Sequence, residues 1–335
     1  MDIRDREKLK RLEKTFELNF KLTRLYANYL EYYNEVINSN MMKALCGDGE
    51  IDEKDGLVAI LCQIFGLDLD GTQDDRILIR EYLTPSVRIM DAEKYRNNPY
   101  YKNISIPNVK EGRWELKRES YPAYRGVIAD DMIITDSFRE IPPLGFFKEE
   151  FEFPAVLEDG NEWMTLTPVD LDTSDEAIER AHGKVVTFGL GLGYYAYMVS
   201  EKESVDSITV VEKSRDVISL FEKYVLPQFS HPEKVRVVNA DAFEYAERVM
   251  PTEGFDVAFV DTWRDASDGA PMYERMKRLE HLSPDTEFLY WIENFLVSRL
   301  RALRFAEIEE RLDGGEDMTY DAIALALDKK SLVAD

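Results

Sequence analysis

The sequence predicts an α/β protein whose C-terminal half forms a doubly wound, mostly parallel sheet, preceded by a small β-rich region and an N-terminal helical domain. Two observations support the sheet. From Val185 onward, short β-branched strands alternate with helices, and the first of these strands runs into three alternating glycines. A third observation concerns the first 90 or so residues, whose apolar positions follow helical spacing. We therefore expect domains at 1–92, 93–170 and 171–335.

The composition is acidic, with 42 Lys and Arg against 66 Asp and Glu and a formal net charge of −24 at pH 7. We expect no nucleic-acid partner, because phosphate binding needs clustered Lys and Arg. A cationic substrate such as a polyamine is compatible with this charge, but a solvated acidic surface that aids solubility is the simpler explanation. Two cysteines give no disulfide or metal framework. The charged N-terminus and the lack of a membrane-length apolar run predict a cytoplasmic protein without a membrane partner.

The N-terminal region reads as a series of helices. Apolar residues at helical spacing predict one long amphipathic helix over residues 4–38. The acidic stretch Asp48–Asp55 resembles a calcium loop but lacks its glycine at the sixth position and its Glu at the twelfth. Leu57–Phe65 predicts a second helix, and Thr72 with Asp75 predicts a capping box that opens a third. We assign this region no chemistry. A homodimer is compatible with the sequence, and in a non-catalytic protein of this fold the helical domain would mediate it.

From Tyr95 to about residue 170, prolines and glycines separate short β-rich runs, which predicts a small antiparallel sheet. The predicted strands are Trp114–Glu119, Gly126–Met132, Phe146–Phe153, Pro154–Leu157 and Trp163–Leu166. Glu158–Asn161 predicts a hairpin turn between the last two.

The C-terminal domain should open with a helix after Thr173, with Glu176 completing a capping box. The predicted strands that follow are Val185–Gly189, Ser207–Glu212, Val235–Asn239, Phe255–Asp261 and Glu287–Ile292. The predicted helices between them are Tyr194–Ser200, Arg215–Tyr224, Ala242–Met250 and Pro271–His281. The last thirty residues stay unassigned apart from a turn at Asp313–Gly315.

The residues that close each strand should carry the chemistry, because ligands of open α/β sheets bind beyond the carboxyl ends of the strands. Glycines let backbone N–H groups approach a ligand closely, and the helix that follows offers unpaired N–H donors. An acid at the end of the second strand can accept hydrogen bonds from a ribose diol. These closing residues are Gly189, Gly191, Gly193, Glu212, Asp241 and Asp261. Asp241 also has a purely structural interpretation as a helix N-cap.

A dinucleotide-binding domain is the nearest alternative. Its Gly-x-Gly-x-x-Gly pattern requires a glycine at the sixth position, where this sequence has Tyr194 counted from Gly189 and Ala196 counted from Gly191. Asp241, the acid that follows the third strand, favours a nucleoside site of another kind, because a dinucleotide site does not require an acid at this position.

Residues 173–292 resemble a class I S-adenosylmethionine-dependent methyltransferase, and specifically its spermidine-synthase-like branch. The resemblance implies a Rossmann-like fold with S-adenosylmethionine as cofactor. It also implies a cofactor site with the glycine motif on one wall, a ribose-binding acid and an adenine-side motif. The cofactor-binding residues that it implies are Gly189, Gly191, Gly193, Glu212, Asp241, Ala242 and Phe243.

The sequence departs from the family pattern in two places. Thr187 stands where most members have an acid, two residues before the first glycine. In aminopropyltransferases the fourth strand ends in a motif like Asp-Ser-x-Asp-Pro; here Asp261 matches the first Asp, but the second acid is displaced to Asp265 and the proline is absent. We expect Asp261 to lie beside the acceptor as the catalytic group, with Asp265 and Asp268 as weaker candidates.

Three functions therefore stay open. The first is a methyltransferase acting on a small molecule, cationic or not, or on a protein. The second is a polyamine aminopropyltransferase that uses decarboxylated S-adenosylmethionine. The third is a non-catalytic ligand-binding relative that keeps the fold.

Overall fold

The computed structural model describes residues 3–333; residues 1–2 and 334–335, at the ends of two predicted domains, lie outside the described residues. The α-helices are α1 (Ile3–Asn28), α2 (Ser39–Cys46), α3 (Glu53–Phe65), α4 (Gln73–Ile77), α5 (Thr84–Ser86), α6 (Ala92–Arg96), α7 (Pro99–Asn103), α8 (Pro168–Asp172), α9 (Asp175–Arg180), α10 (Tyr194–Ser200), α11 (Arg215–Leu220), α12 (Ala242–Arg248), α13 (Met250–Glu253), α14 (Ala266–Leu279), α15 (Glu293–Asp313), α16 (Tyr320–Ala326) and α17 (Lys329–Leu332). π-Helical turns span Tyr29–Tyr33, Leu78–Leu83 and Phe221–Val225, and 3₁₀ turns span Leu226–Gln228, Pro232–Lys234 and Glu280–Leu282.

The strands are β1 (Val87–Met90), β2 (Val109–Glu111), β3 (Trp114–Tyr121), β4 (Gly126–Ile128), β5 (Ile133–Ile134), β6 (Glu140–Ile141), β7 (Leu144–Phe147), β8 (Phe151–Glu158), β9 (Asn161–Thr165), β10 (Gly183–Phe188), β11 (Val205–Glu212), β12 (Val235–Asn239), β13 (Val257–Val260) and β14 (Glu287–Tyr290). The two predicted strands 146–153 and 154–157 do not exist as such. Pro154 lies inside one continuous strand, β8, and residues 144–147 belong to β7.

The chain divides into two compact units. Unit 1 comprises residues 1–92, 121–151 and 297–335, and unit 2 comprises residues 93–120 and 152–296. The division into domains at 1–92, 93–170 and 171–335 stays a prediction.

Unit 1 is mainly helical. The predicted helix over 4–38 is α1, continued by the π-helical turn Tyr29–Tyr33, and its inward face joins a core that includes Leu22, Tyr26 and Tyr29. The capping box predicted at α4 is confirmed: the Thr72 hydroxyl accepts a hydrogen bond from the Asp75 N–H, and the Asp75 carboxylate accepts one from the Thr72 N–H. Within residues 3–333 no helix is both long and apolar enough to cross a membrane.

A buried ion pair connects two distant parts of unit 1. Arg301 on α15 donates a hydrogen bond to Glu140 on β6 at 2.9 Å, and both side chains are almost fully buried. The second oxygen of Glu140 accepts from Ser298, and Arg301 also donates to the carbonyl of Leu327. Because an unpaired charge at this depth costs several kcal/mol, each partner requires the other. Residues 306–333, which the sequence analysis left unassigned, contain helix on both sides of the predicted turn Asp313–Gly315.

Unit 2 contains the predicted parallel sheet. Its order is β12-β11-β10-β13-β14, and all four neighbouring pairs are parallel. The central strands β10 and β13 are almost entirely buried, which accounts for their continuous apolar runs. The predicted α/β class with a parallel sheet is therefore confirmed for this unit. A second, four-stranded sheet of order β2-β3-β8-β9 precedes it, with the predicted hairpin turn at Asp159 and Gly160. The prediction of one small antiparallel sheet is wrong, because β4 and β7 form a separate three-stranded sheet with β1 in unit 1, where β1 and β7 are parallel.

Two helix starts in unit 2 differ from the predictions. The capping box predicted at Thr173 and Glu176 is wrong: α9 begins at Asp175 without a side-chain cap. Helix α14 begins at Ala266 rather than at Pro271. A capping box of Asp265 and Asp268 satisfies its first N–H groups, so the helix starts five residues before the proline.

The direction in which the chain crosses the sheet reverses at β10. The chain proceeds from β10 outward to β11 and β12, then returns to β13 on the other side of β10 and continues to β14. A crevice therefore opens between the ends of β10 and β13, where Gly189 and Asp261 follow their strands. The backbones meet there closely: Gly189 has φ +99°, and a Cβ at this position would overlap the carbonyl oxygen of Asp261. Only glycine fits.

We predict that Gly189→Ala lowers the free energy of unfolding by about 2–4 kcal/mol, because the methyl group adds a backbone clash to the strain of a positive φ. Urea denaturation of the whole chain measures this loss. Gly254→Ala is the matched control, since Gly254 has φ +66° but open space around its Cβ position. Equal losses in the two variants would show that the contact with Asp261 is unimportant.

Candidate functional site

A cavity of about 30 Å³ lies in unit 2 at this crevice, large enough for about two water molecules. Its walls come from the loop after β10, the start of α10, the strands beneath them and the segment between β9 and α9. The lining residues are Met164, Leu166, Asp170, Ser174, Thr187, Gly189, Leu190, Tyr194, Tyr195, Ala196, Val210, Phe259, Asp261 and Trp291.

The glycine loop forms one wall of this cavity. Gly189, Gly191 and Gly193 all have positive φ, as the tight turn from strand to helix requires. Gly193 is the N-cap of α10, and its missing side chain leaves room for the ring of Phe221. Gly191 has the side chain of Met164 directly against it. The loop is thus built as predicted, with the space above it partly filled by the protein.

Glu212, at the end of β11, is buried and faces the same loop. One carboxylate oxygen accepts a hydrogen bond from the Leu190 N–H at 3.2 Å, and the other accepts from the Ser214 N–H at 2.6 Å. Burial raises the pKa of this carboxyl, and the two backbone donors oppose the shift. Glu212 therefore ties the loop after β10 to the loop after β11, and each oxygen retains a lone pair for a ligand hydroxyl.

The residues that the sequence resemblance placed near adenine follow β12. One oxygen of Asp241, Oδ1, accepts from the N–H groups of Phe243 and Glu244, so the carboxylate caps α12. Ala242 is the first residue of that helix. The ring of Phe243 is buried, and the guanidinium of Arg275 lies over it at 4.1 Å from the ring centroid. Asp241 is thus a helix cap whose second oxygen makes no hydrogen bond to a residue in the described range 3–333.

Two carboxyl groups share the cavity. Asp261 has no hydrogen bond to its side chain from any residue between 3 and 333, whereas Asp170 accepts from the N–H and the hydroxyl of Thr167 at 2.7 and 2.8 Å. Burial and, to a smaller extent, the negative charges of Asp170 and Glu212 together raise the pKa of Asp261 to about 8. Burial likewise raises the pKa of Asp170 to about 6. Asp261 is therefore mostly protonated at neutral pH until a positive charge enters.

The weaker catalytic candidates have other tasks. Asp265 accepts from the Ser267 N–H, and Asp268 accepts from the N–H groups of Asp265 and Arg264. Both carboxylates are exposed or half-exposed, and neither lines the cavity. They cap α14. Within residues 3–333 no group of three His, Cys, Asp or Glu side chains is arranged to hold a metal ion.

A segment spanning residues 94–103 supports the outer wall of the cavity. The Tyr101 hydroxyl donates to the Leu166 carbonyl at 2.6 Å, and the amide of Asn98 donates to the Tyr194 hydroxyl at 3.0 Å. The Tyr100 hydroxyl donates to the carbonyl of Leu192 in the glycine loop at 2.5 Å. These hydrogen bonds hold the glycine loop in place, together with Leu166 and Tyr194, which line the cavity.

Asp170 and Met164 are cavity residues that the sequence reasoning missed. Asp170 lies three residues after Thr167, a spacing that indicates only a capping box. Met164 lies in a short alternating strand, where an apolar residue is expected to pack. No local pattern distinguishes either from an ordinary structural residue. Thr187 lines the cavity.

No protein-family model matches the chain, and no curated protein matches its sequence. Among solved structures, spermidine synthase from Thermotoga maritima is similar at 15% identity and a TM-score of 0.34, covering 46% of this chain and 59% of that chain. A spermidine synthase in complex with the transition-state analogue AdoDATO is similar at 18% identity and a TM-score of 0.34, with 46% and 60% covered. A precorrin 8W decarboxylase of Methanobacterium thermoautotrophicum shows 17% identity and a TM-score of 0.29, with 45% and 74% covered.

The chain thus spans three fifths of the length of the two spermidine synthases. A likeness at this level carries no statement about activity, ligand or partner.

We predict that Asp261→Asn stabilises the protein above neutral pH. The folded-state pKa of Asp261 lies above its unfolded value, so the folded chain holds a proton that the unfolded chain releases between about pH 4 and pH 8. Wild-type stability contributed by this group therefore falls as pH rises through that window. The asparagine amide does not titrate, so we expect the stability advantage of the variant over the wild type to grow by a few kcal/mol between pH 5 and pH 8.5.

Thermal unfolding of both proteins from pH 5 to pH 8.5 measures the effect. Asp265→Ala is the control of opposite sign: hydrogen bonds from Ser267 lower the pKa of Asp265, and loss of this cap should destabilise the protein by about 1 kcal/mol. A pH-independent difference between wild type and Asp261→Asn would mean that Asp261 titrates normally.

Proposed function

We propose that this chain is an S-adenosylmethionine-dependent methyltransferase acting on a small-molecule or protein acceptor. One observation carries the proposal. The carboxyl of Asp261 lies at the switch point of a parallel sheet, in a cavity walled by a glycine loop, without any hydrogen-bond partner in residues 3–333. A half-buried carboxyl that has no hydrogen-bond partner and faces two other acids is costly, so its presence indicates a ligand-facing role.

Residues at the ends of the neighbouring strands β11 and β12, outside the cavity lining, also suit such a donor. Glu212 has free lone pairs for the ribose hydroxyls, and the second oxygen of Asp241 is free for the amino group of adenine. Phe243, two residues after Asp241, offers an apolar ring. S-adenosylmethionine would supply a methyl group activated by a sulfonium charge, and the protein would position donor and acceptor for in-line displacement.

Asp261 would act on the acceptor. In the ligand-free cavity its carboxyl is mostly protonated, because burial and two neighbouring acids raise its pKa. A positive charge placed beside it favours the carboxylate again. The carboxylate then accepts a proton from an acceptor amine or hydroxyl, or holds a cationic acceptor in place.

A second function has its own supporting observation. The cavity is lined by two acids and by no Lys, Arg or His side chain from the described residues. Such a wall repels a carboxylate and favours an ammonium group, which suits decarboxylated S-adenosylmethionine and aminopropyl transfer. A non-catalytic relative would bind either donor without turnover.

Calorimetric titration with S-adenosylmethionine, S-adenosylhomocysteine and the decarboxylated donor tests these functions. Tightest binding of the first two supports methyl transfer, and preference for the decarboxylated donor supports aminopropyl transfer. If none of the three binds at millimolar concentration, both enzymatic proposals are wrong. With an acceptor identified, Asp261→Asn should bind the donor normally and lose at least about a hundredfold in kcat.

We predict that Glu212→Gln weakens donor binding about tenfold, since an amide oxygen accepts hydroxyl hydrogen bonds less strongly than a carboxylate. Calorimetry measures the dissociation constant, and the melting temperature shows whether the fold is kept. Asp206→Asn is the matched control, an exposed acid near the opposite end of the same strand β11. Unchanged binding by Glu212→Gln would remove Glu212 from the site.

A further inference from the structure

The side chain of Met164 occupies the space above the glycine loop. It extends from β9 onto Gly191, so closely that a Cβ at Gly191 would lie 2.5 Å from the methionine methyl carbon and would overlap its sulfur. The same side chain lines the cavity beside Asp261. A glycine loop accepts ligands by close approach to its backbone, and here the approach to Gly191 is filled.

The remaining cavity is far too small for a nucleoside. Its volume of about 30 Å³ compares with several hundred cubic ångströms for sites that hold ligands of drug size. Something in the wall must therefore move when such a ligand binds. Thr187 and Phe259 cannot easily do so, because they belong to the central strands β10 and β13.

Met164 is the lining residue best able to move. Strand β9 is at the edge of its sheet, pairs only with β8, and its pairing register shifts at Val156 and Leu157. A methionine side chain is unbranched, has three rotatable bonds and changes rotamer at small cost. It is also partly exposed rather than fully enclosed.

We propose that Met164 competes with the donor for the space above the glycine loop and is displaced when the donor binds, so that its side chain sets the affinity of the site. The inference rests on the proposed function, since it takes the ligand to be an adenosyl sulfonium or its thioether product. In the closed arrangement Met164 competes with the ligand for Gly191, so the measured dissociation constant is the intrinsic one divided by the fraction of open protein.

Shortening the side chain should remove this competition. We expect Met164→Ala to bind S-adenosylhomocysteine and decarboxylated S-adenosylmethionine about tenfold more tightly than the wild type. Met164→Phe, which is bulkier and stiffer, should bind both at least about tenfold more weakly. Met41→Ala is the matched control, a partly exposed methionine in unit 1 that should leave both affinities unchanged.

Isothermal calorimetry of the four full-length proteins measures the affinities, with melting temperatures to show that each is folded. Tighter binding by Met164→Ala together with weaker binding by Met164→Phe supports the inference. If the wild type binds a donor and Met164→Ala binds it equally or more weakly, this inference is overturned while the proposed function stands. If neither the wild type nor Met164→Ala binds any of these nucleosides, both are overturned.

Discussion

The contact between the backbone at Gly189 and the carbonyl of Asp261 is the constraint on which the site in unit 2 depends. It exists because two parallel strands, β10 and β13, are neighbours in the sheet although 68 residues separate their ends (188 to 257) in the chain. Two backbone hydrogen bonds join the ends of these strands at the same point. The Asp261 N–H donates to the Phe188 carbonyl at 2.8 Å, and the Gly189 N–H donates to the Val211 carbonyl at 2.9 Å. A side chain at Gly189 would force these strand ends apart.

This constraint brings acids together. Glu212, Asp261 and Asp170 all lie near the loop, and burial raises the pKa of each. Glu212 has two backbone donors and Asp170 has Thr167, but Asp261 has no partner in residues 3–333. Stability alone would favour a neutral residue there, since burying an uncompensated carboxyl costs free energy. Such a cost is typical of sites where binding or catalysis requires a group that lowers stability.

Aspartates at helix N-termini in this chain either only cap the helix or also line the cavity, and the sequence pattern is the same in both cases. Asp265 and Asp268 close a capping box, and Asp241 caps α12 through one oxygen. Asp170 also belongs to a capping box, yet it lines the cavity. The spacing of a cap depends only on local backbone geometry. Whether the same carboxylate also faces a ligand depends on which distant elements pack against it.

The sequence by itself determined the alternation of strands and helices in unit 2, the glycine turn, the hairpin turn at Asp159 and the acids that close three strands. These follow from periodicity and turn chemistry, which act over a few residues. Only the tertiary structure decided that Asp170 and Met164 enter the cavity and that Glu140 meets Arg301, 161 residues later. Such contacts depend on strand order and packing volume, which no local pattern encodes. The glycine loop could therefore be predicted from the sequence, whereas the Met164 side chain that covers it could not.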